Sequence, residues 1–364
     1  MTDRIFPFAQ RRSHLRRELT ARDVDLLVSD RQPDIRFFSG CRDASGYLLI
    51  PVSGEAYLIT NAHDAPQARA EASETTVLTW WPGEEAIALM RTVLPTGKGR
   101  VLSMSDSSLL VNALRESGMD VETASGFTPD LRRVKEPQEM EVIRRAAAIV
   151  EAGMAAARSA LRPAVREIDV AAEAERVMRA MGSDGRIFET KVESGPRSAW
   201  PSTYAGERRI EAGDLVLIDI GPAYGGYFGD LTRTFSIGEP SPRTRLILEL
   251  ELSSQAAALQ SVRAGITGHE VDEAARRMVR DVGREDGFLH NTGHSLGLAG
   301  DSIPLLRPGS DSTLRAGECV TIEPGVYREG IGGARIEDEI LVTDAGHDLL
   351  TTFPKTIDSL IVPL

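Results

Sequence analysis

Apolar residues recur every three or four positions through the middle of the chain, and the elements this pattern predicts come twice. Between 137 and about 161, Met140, Ile143, Ala147, Val150 and Met154 mark one face of a helix. Pro137 suits its first turn, Glu139 favours the positive end of the helix dipole, and Arg162-Pro163 stops it. A second helix is predicted over about 166–181, ending at Gly182. Short apolar runs follow: FETKVESG, LVLIDIG and GYFGDLTRTF read as strands. The pattern then restarts. Pro242 opens a helix to about 263, another covers 269–284, and strands return in ECVTIEP, GVYRE and ARIEDEILVT.

The restart is visible letter by letter. AGDLVLIDIG at 212–221 is echoed by AGECVTIEPG at 316–325, and REIDVAA at 166–172 by HEVDEAA at 269–275. A period of just over a hundred residues is too long for a solenoid repeat. It predicts two α+β halves, each helix, helix, strands, whose sheets pack about a pseudo-twofold axis.

The first 130 residues carry a different pattern. Residues 10–32 read as a helix leading into the apolar strand LLV. YLLIPV and EAYLIT, joined by Ser53-Gly54, predict a hairpin. VLSM at 101–104 is another strand, and 66–72 and 84–93 read as helices, which together make a small α/β domain. Trp80-Trp81-Pro82 reads as packing. Pro129 and Pro137 flank the charged stretch DLRRVKE, so the domains are expected to span 1–130 and 135–364.

Composition narrows the function. A chain of 364 residues accommodates one or two domains, and 41% hydrophobic with 26% charged residues is ordinary for a globular protein. A net charge of −12 argues against nucleic acid or a basic membrane surface as partner. No apolar run suggests a signal peptide or a membrane span. Cys41 and Cys319, the only cysteines, indicate neither a disulfide framework nor a cysteine-rich zinc site. A soluble cytoplasmic protein is the expectation.

The echoed strands carry acids where apolar residues belong. Asp219 interrupts LVLID and Glu323 stands at the same place in VTIEP. A buried carboxylate there is costly unless paired or metal-bound. Asp230 and Glu337 follow, each on the next predicted strand. Any one acid alone reads best as a capped turn or a partner of Arg233 or Arg335. Four acids in a twofold arrangement read better as a metal centre. His294, in the glycine-rich HNTGHSLGLAG, adds an imidazole, whereas His290 reads as structural. Four carboxylates and one imidazole suit Mn²⁺, Co²⁺ or Fe²⁺ and are compatible with Zn²⁺. So many carboxylates suggest two ions with a bridging water or hydroxide as nucleophile.

These motifs resemble those of the pita-bread metallohydrolases, the family of prolidase, aminopeptidase P and creatinase. The resemblance is carried by IDIGPAYGGYFGDLTRTF, NTGHSLGL, TIEPGVY, RIEDEILVT, LRRVKEPQEMEVIRRAA and, near the start, DLLVSDRQPDIRFFSG. It implies an N-terminal α/β creatinase-like domain before a C-terminal pita-bread domain. It also implies Asp219, Asp230, His294, Glu323 and Glu337 as ligands of two divalent ions, Mn²⁺ foremost, and a homodimer. Metal-bound hydroxide would attack an amide carbonyl, with Xaa-Pro peptides as the substrate class. Glu323, Asp301 and Ser202 fall at the catalytic positions, and Ser202, Asp301, Tyr204 and Arg335 around the substrate.

Two departures stand out. The family's peptidases usually carry a His in a Pro-His segment, where this chain has Ser202, and a His-Glu-x-Pro segment, where it has Asp301 and Ser302 before Pro304. Both histidines are expected to line the substrate pocket and steady charge on the attacked carbonyl. Their absence opens an alternative: a creatinase-like or ectoine-hydrolase-like enzyme acting on a small molecule, with Asp301 meeting a cationic group. A non-catalytic binding module, a third reading, is disfavoured by the five intact ligands.

Overall fold

The computed structural model describes residues 6–83, 85–94, 99–300 and 303–364. The chain forms two compact units, one up to Arg132 and one from Arg133 to Leu364.

The first unit is built on a six-stranded mixed sheet. Its strand order is Thr76–Trp80, Tyr57–Asn61, Gly46–Pro51, Leu26–Ser29, Arg100–Ser103, Asp120–Thr123. The expected hairpin is present, with Leu49 opposite Tyr57 across the Ser53-Gly54 turn. Helix Phe8–Ala21 buries Leu15 and Leu19 against this unit. The helices expected at 66–72 and 84–93 appear as Ala65–Glu71 and Ala86–Arg91; Glu84 lies outside the described residues. Five elements escaped the periodicity: helices Gln32–Ser39, Ser108–Glu116 and Phe127–Leu131 and strands Thr76–Trp80 and Asp120–Thr123. Both strands lie at the edges of the sheet, and Asp120–Thr123 has a single apolar residue, Val121. Trp80 packs beside Tyr47, while Trp81 is 62% exposed.

The second unit shows the doubled plan. Helix Pro137–Ala160 packs on Glu167–Ala180, and Pro242–Ser261 on Gly268–Arg280. The starts are chemically marked. Glu136 and Glu139 form a reciprocal capping box with Pro137 in the first turn, Ser241 caps before Pro242, and Thr267 with Glu270 forms a second box. The apolar stripe from Met140 to Met154 is buried.

Each half then contributes a strand pair. Leu215–Ile220 lies antiparallel to Leu231–Ile237, with Asp219 opposite Thr232 and Ile218 opposite Arg233. Cys319–Ile322 lies antiparallel to Asp338–Val342, with Ile322 opposite Asp338. On the other side of Leu215–Ile220 runs Lys191–Ser194, which puts Lys191 opposite Asp219.

Two of the predicted strands are broken, and the breaks hold acids. GYFGDLTRTF divides into Tyr227–Phe228 and Leu231–Ile237, leaving Asp230 in the gap. ARIEDEILVT divides after Arg335, with Glu337 in the gap before Asp338–Val342. At the first break a Cβ on Gly229 would come within 2.8 Å of the Ala146 carbonyl, so glycine is needed for the chain to pass the long helix.

The strand pairs meet through buried polar groups. Arg233, fully buried, pairs with Asp338 at 2.7 Å and donates to the carbonyls of Thr232, Glu337 and Phe353. Thr232 Oγ1 donates to Glu337 Oε2 at 2.7 Å. Among the described residues no helix is long and apolar enough to cross a membrane.

Candidate metal centre and its cavity

Asp230, His294 and Glu337 converge. Each offers one ligand atom, and the three atoms lie within 4.8 Å of one another. His294 is brought in by a short strand, Gly293–His294, that runs against Leu305–Leu306. A Cβ on Gly293 would lie 2.0 Å from the Thr321 carbonyl, so the strand reaches this depth only as glycine.

The imidazole is oriented by its neighbours. Its Nδ1 lies 2.9 Å from the Ser295 carbonyl, which can only accept, so Nδ1 carries the proton. In the neutral ring, the form that binds a metal, Nε2 is then a lone pair. It faces Glu323 Oε1 at 3.2 Å and Asp230 Oδ2 at 3.6 Å. A lone pair pointed at two carboxylate oxygens is unfavourable unless a cation lies among them. Asp219 Oδ1 and Glu337 Oε1 are buried with no hydrogen-bond partner among the described residues, which is costly for a carboxylate and apt for a ligand. The donor set therefore fits a divalent ion.

The electrostatics agree. Burial, reinforced by Asp219 and Glu323, pushes the Asp230 carboxyl well above the usual carboxylate range. Burial, with Asp230 and then Glu323, does the same to Glu337. Burial works upward on Asp219 too, but Arg335 and Lys191 outweigh it and hold that carboxyl below its usual range. Lys191 Nζ and Arg335 Nη2 both donate to Asp219 Oδ2, at 2.7 and 2.5 Å.

A cavity of about 540 Å³ opens onto this centre, lined in part by Lys191, Ser202, His290, His294, Glu323 and Arg335. The structure thus brings Glu323 and Arg335 to the cavity wall, with Ser202 beside them. Tyr204 does not share their setting: it is 59% exposed, and its carbonyl accepts from Arg197. Asp301 and Ser302 lie outside the described residues. The Arg partner considered for a lone acid is present for Asp219, in Arg335, while Arg233 is committed to Asp338.

Three residues at or behind the cavity wall were missed by sequence reasoning, of which His290 and Lys191 line it. His290, read as structural, lines the cavity. It ends a relay in which Arg335 Nη1 donates to Tyr327 Oη at 2.7 Å and Tyr327 donates to His290 Nε2 at 2.7 Å. Its Nδ1 is committed to the Asn291 carbonyl, and burial with Arg335 nearby lowers its basicity, so the ring is a neutral acceptor. Lys191 and Glu193 are the other two. They alternate on a strand beside LVLID, and charges two apart on one strand face were the available signal. Burial, offset by Arg335 and reinforced by Asp219, pushes Glu193 up to about 8. It accepts from the Thr203 N–H at 3.1 Å and so steadies the loop that presents Ser202.

The four acids are not related by a strict twofold. By ladder register the counterpart of Asp219 is Glu323, but Glu337 stands where the first half has Thr232.

Comparison with known proteins places this geometry among relatives. Residues 141–344 match the model of metallopeptidase family M24, and residues 11–134 match the creatinase/prolidase N-terminal domain. The Xaa-Pro dipeptidase of Pyrococcus furiosus is 32% identical over 329 residues, 90% of this chain and 93% of that protein. A solved Xaa-Pro dipeptidase from Bacillus anthracis is 31% identical with a TM-score of 0.90, covering 98% of this chain and all of that one. An X-Pro aminopeptidase from Thermotoga maritima is 29% identical, with a TM-score of 0.88 over 96% of this chain and 99% of that one.

Proposed function

We propose, from the premise that this chain belongs to metallopeptidase family M24 and is a hydrolase, that it cleaves the amide bond before proline in small peptides. The observation that carries the proposal is the convergence of Asp230, His294 and Glu337 beside a cavity large enough for a dipeptide. Asp219 and Glu323 complete the candidate ligand set, and its oxygen-rich chemistry favours Mn²⁺, with room for a pair of ions. A divalent ion held there supplies an activated water and a Lewis acid for the carbonyl under attack.

The chain's own residues do the rest. His294, with its Nδ1 proton fixed by Ser295, keeps Nε2 free to bind. Glu323 accepts from Thr321 Oγ1 at 3.1 Å, which aims its carboxylate, and it can take up a proton released during attack. Arg335 and Tyr327 form a fixed donor array behind the cavity, and neutral His290 faces the substrate space. Ser202, presented by the loop that Glu193 holds, contributes a hydroxyl where other peptidases of this fold place an imidazole. Peptidase names among the relatives favour this reading over a small-molecule hydrolase or lyase.

Two unpaired, buried cysteines suit a cytoplasmic setting, and a homodimer belongs to the same reading. The test is hydrolysis of a panel of Xaa-Pro and Xaa-Ala dipeptides and longer Xaa-Pro peptides by Mn²⁺-loaded protein, with metal content measured alongside. Cleavage confined to the proline peptides is expected. Bound metal without any cleavage would overturn the peptidase reading.

A further inference from the structure

The helix Pro242–Ser261 carries more apolar surface than the core consumes. Ile247 and Leu248 are buried, but Leu246 is 49% exposed and Leu250 is half-buried. A helix with a single covered face would be polar at 246. Instead Leu246, Ile247 and Leu250 form, with Val326 and Ile331, the apolar wall of a separate cleft of about 270 Å³. This cleft shares no lining residue with the catalytic cavity. Val326 and Arg328 line it, whereas Tyr327 between them reaches Arg335 and His290.

The charge on its wall is of one sign. In a chain of net charge −12, every charged side chain lining the cleft is an arginine: Arg243, Arg284 and Arg328. Arg328 is paired with Asp286 at 2.9 Å. The side chains of Arg243 and Arg284 have no hydrogen-bond or ion-pair partner among the described residues. Arg284 is half-buried, so its guanidinium gives up hydration with nothing in return. Its backbone is held in place: its N–H donates to the Val279 carbonyl at 3.0 Å, and its carbonyl accepts from the Gly287 N–H at 2.9 Å.

We propose that this cleft is a second binding site, which takes a short aliphatic carboxylate. The chain lies along Leu246, Ile247, Leu250 and Val326, and the carboxylate is taken by Arg284 and Arg243. A wall with arginines and no carboxylate rejects an amine and suits an anion, and the guanidinium fork matches a carboxylate. The apolar wall favours a ligand with a tail over inorganic phosphate or sulfate, which would leave that surface wet. The occupant is small, because the volume falls below the range of about 300–1,000 Å³ usual for drug-sized ligands. The site requires neither the metal nor peptidase activity.

The experiment is calorimetric titration of the Mn²⁺-loaded full chain with sodium octanoate. The wild type is expected to bind it with a Kd of about 1 mM or tighter, a modest demand on about ten non-hydrogen atoms. Octylammonium chloride, with the same chain and the opposite charge, is expected to bind at least about tenfold more weakly. Arg284→Met, which keeps the stem and removes the guanidinium, should weaken octanoate by at least about tenfold. Leu246→Asp, which sets an anion on the exposed wall and leaves the arginines in place, should do as much. Octanoate drawn instead to the metal centre would bind both variants as it binds the wild type, and that result overturns the proposal. So does octylammonium binding as tightly as octanoate, a comparison made on the wild type and independent of how any variant folds. A wild type that shows no saturable binding up to about 10 mM, as when a second copy of the chain covers the cleft, overturns it too.

Discussion

The two halves of the catalytic unit begin alike and end differently. Each sends a buried strand with an acid near its end, Asp219 in one and Glu323 in the other, into the same centre. In the first half the acid is met by Lys191 and Arg335. In the second it is met by the imidazole of His294. The repeat supplies the frame, and the residues laid over it make one side a paired carboxylate and the other an open set of ligands. A duplicated backbone therefore does not imply duplicated chemistry, because the cost of a buried charge is settled by its immediate neighbours.

The largest effect that sharpens this contrast lies on the open side. Asp230→Asn should abolish hydrolysis, by at least about a thousandfold in kcat/KM, together with tight metal binding. Near-normal turnover in that variant would show that the centre is elsewhere. The next concerns the seam between the halves. Arg233→Met leaves Asp338 buried beside Lys355 with one cation fewer, and denaturant unfolding should show a loss of about 3–5 kcal/mol. A change within about 0.5 kcal/mol, the scatter of surface substitutions, would deny the seam its role.

The third effect tests the paired side through pH. Glu193 is raised in the fold, so its contribution to stability is present in full below its ordinary range and is lost as pH rises toward about 8. Metal-free wild type should lose about 3–4 kcal/mol between pH 5 and 8 from this group, and Glu193→Gln should remove that part of the decline. Asp230 and Glu337 are displaced in the same direction, so metal-free protein should weaken further as pH rises while the loaded protein does not. Melting temperatures with and without Mn²⁺ that stay parallel across this range would contradict it. The smallest effect is Ser202→His, which should raise cleavage of Xaa-Pro dipeptides by about tenfold if the cavity wants an imidazole there. No gain in a well-folded variant would mean that the hydroxyl already does what this site requires.

Much of this was legible in the sequence. Helix starts were read from Pro137, Glu139 and Pro242, because caps and dipoles act within one turn. The acids were read from Asp219 and Glu323, because a charge inside an apolar run is conspicuous. The breaks at Asp230 and Glu337 were not legible, since alternation continues across them and only packing against Ala146 and the neighbouring strands interrupts the ladder. Lys191, Glu193 and His290 were missed for a related reason. Their roles come from strand register and from the Arg335–Tyr327 relay, which join residues far apart in the chain.

The pairing of Arg233 with Asp338 also depends on the two halves being unlike. Arg233 stands opposite Ile218 and Asp338 opposite Ile322, so under the repeat the two occupy one and the same position. They are counterparts that face each other across the pseudo-twofold seam. In a forebear made of two identical copies, that position would have faced itself, arginine against arginine or aspartate against aspartate. An attractive pair exists only because the two halves differ at that position. The salt bridge thus joins the halves as unlike partners: without its counterpart Arg233 would be a buried charge with no carboxylate to answer it, and of its two cations Asp338 would keep Lys355 alone.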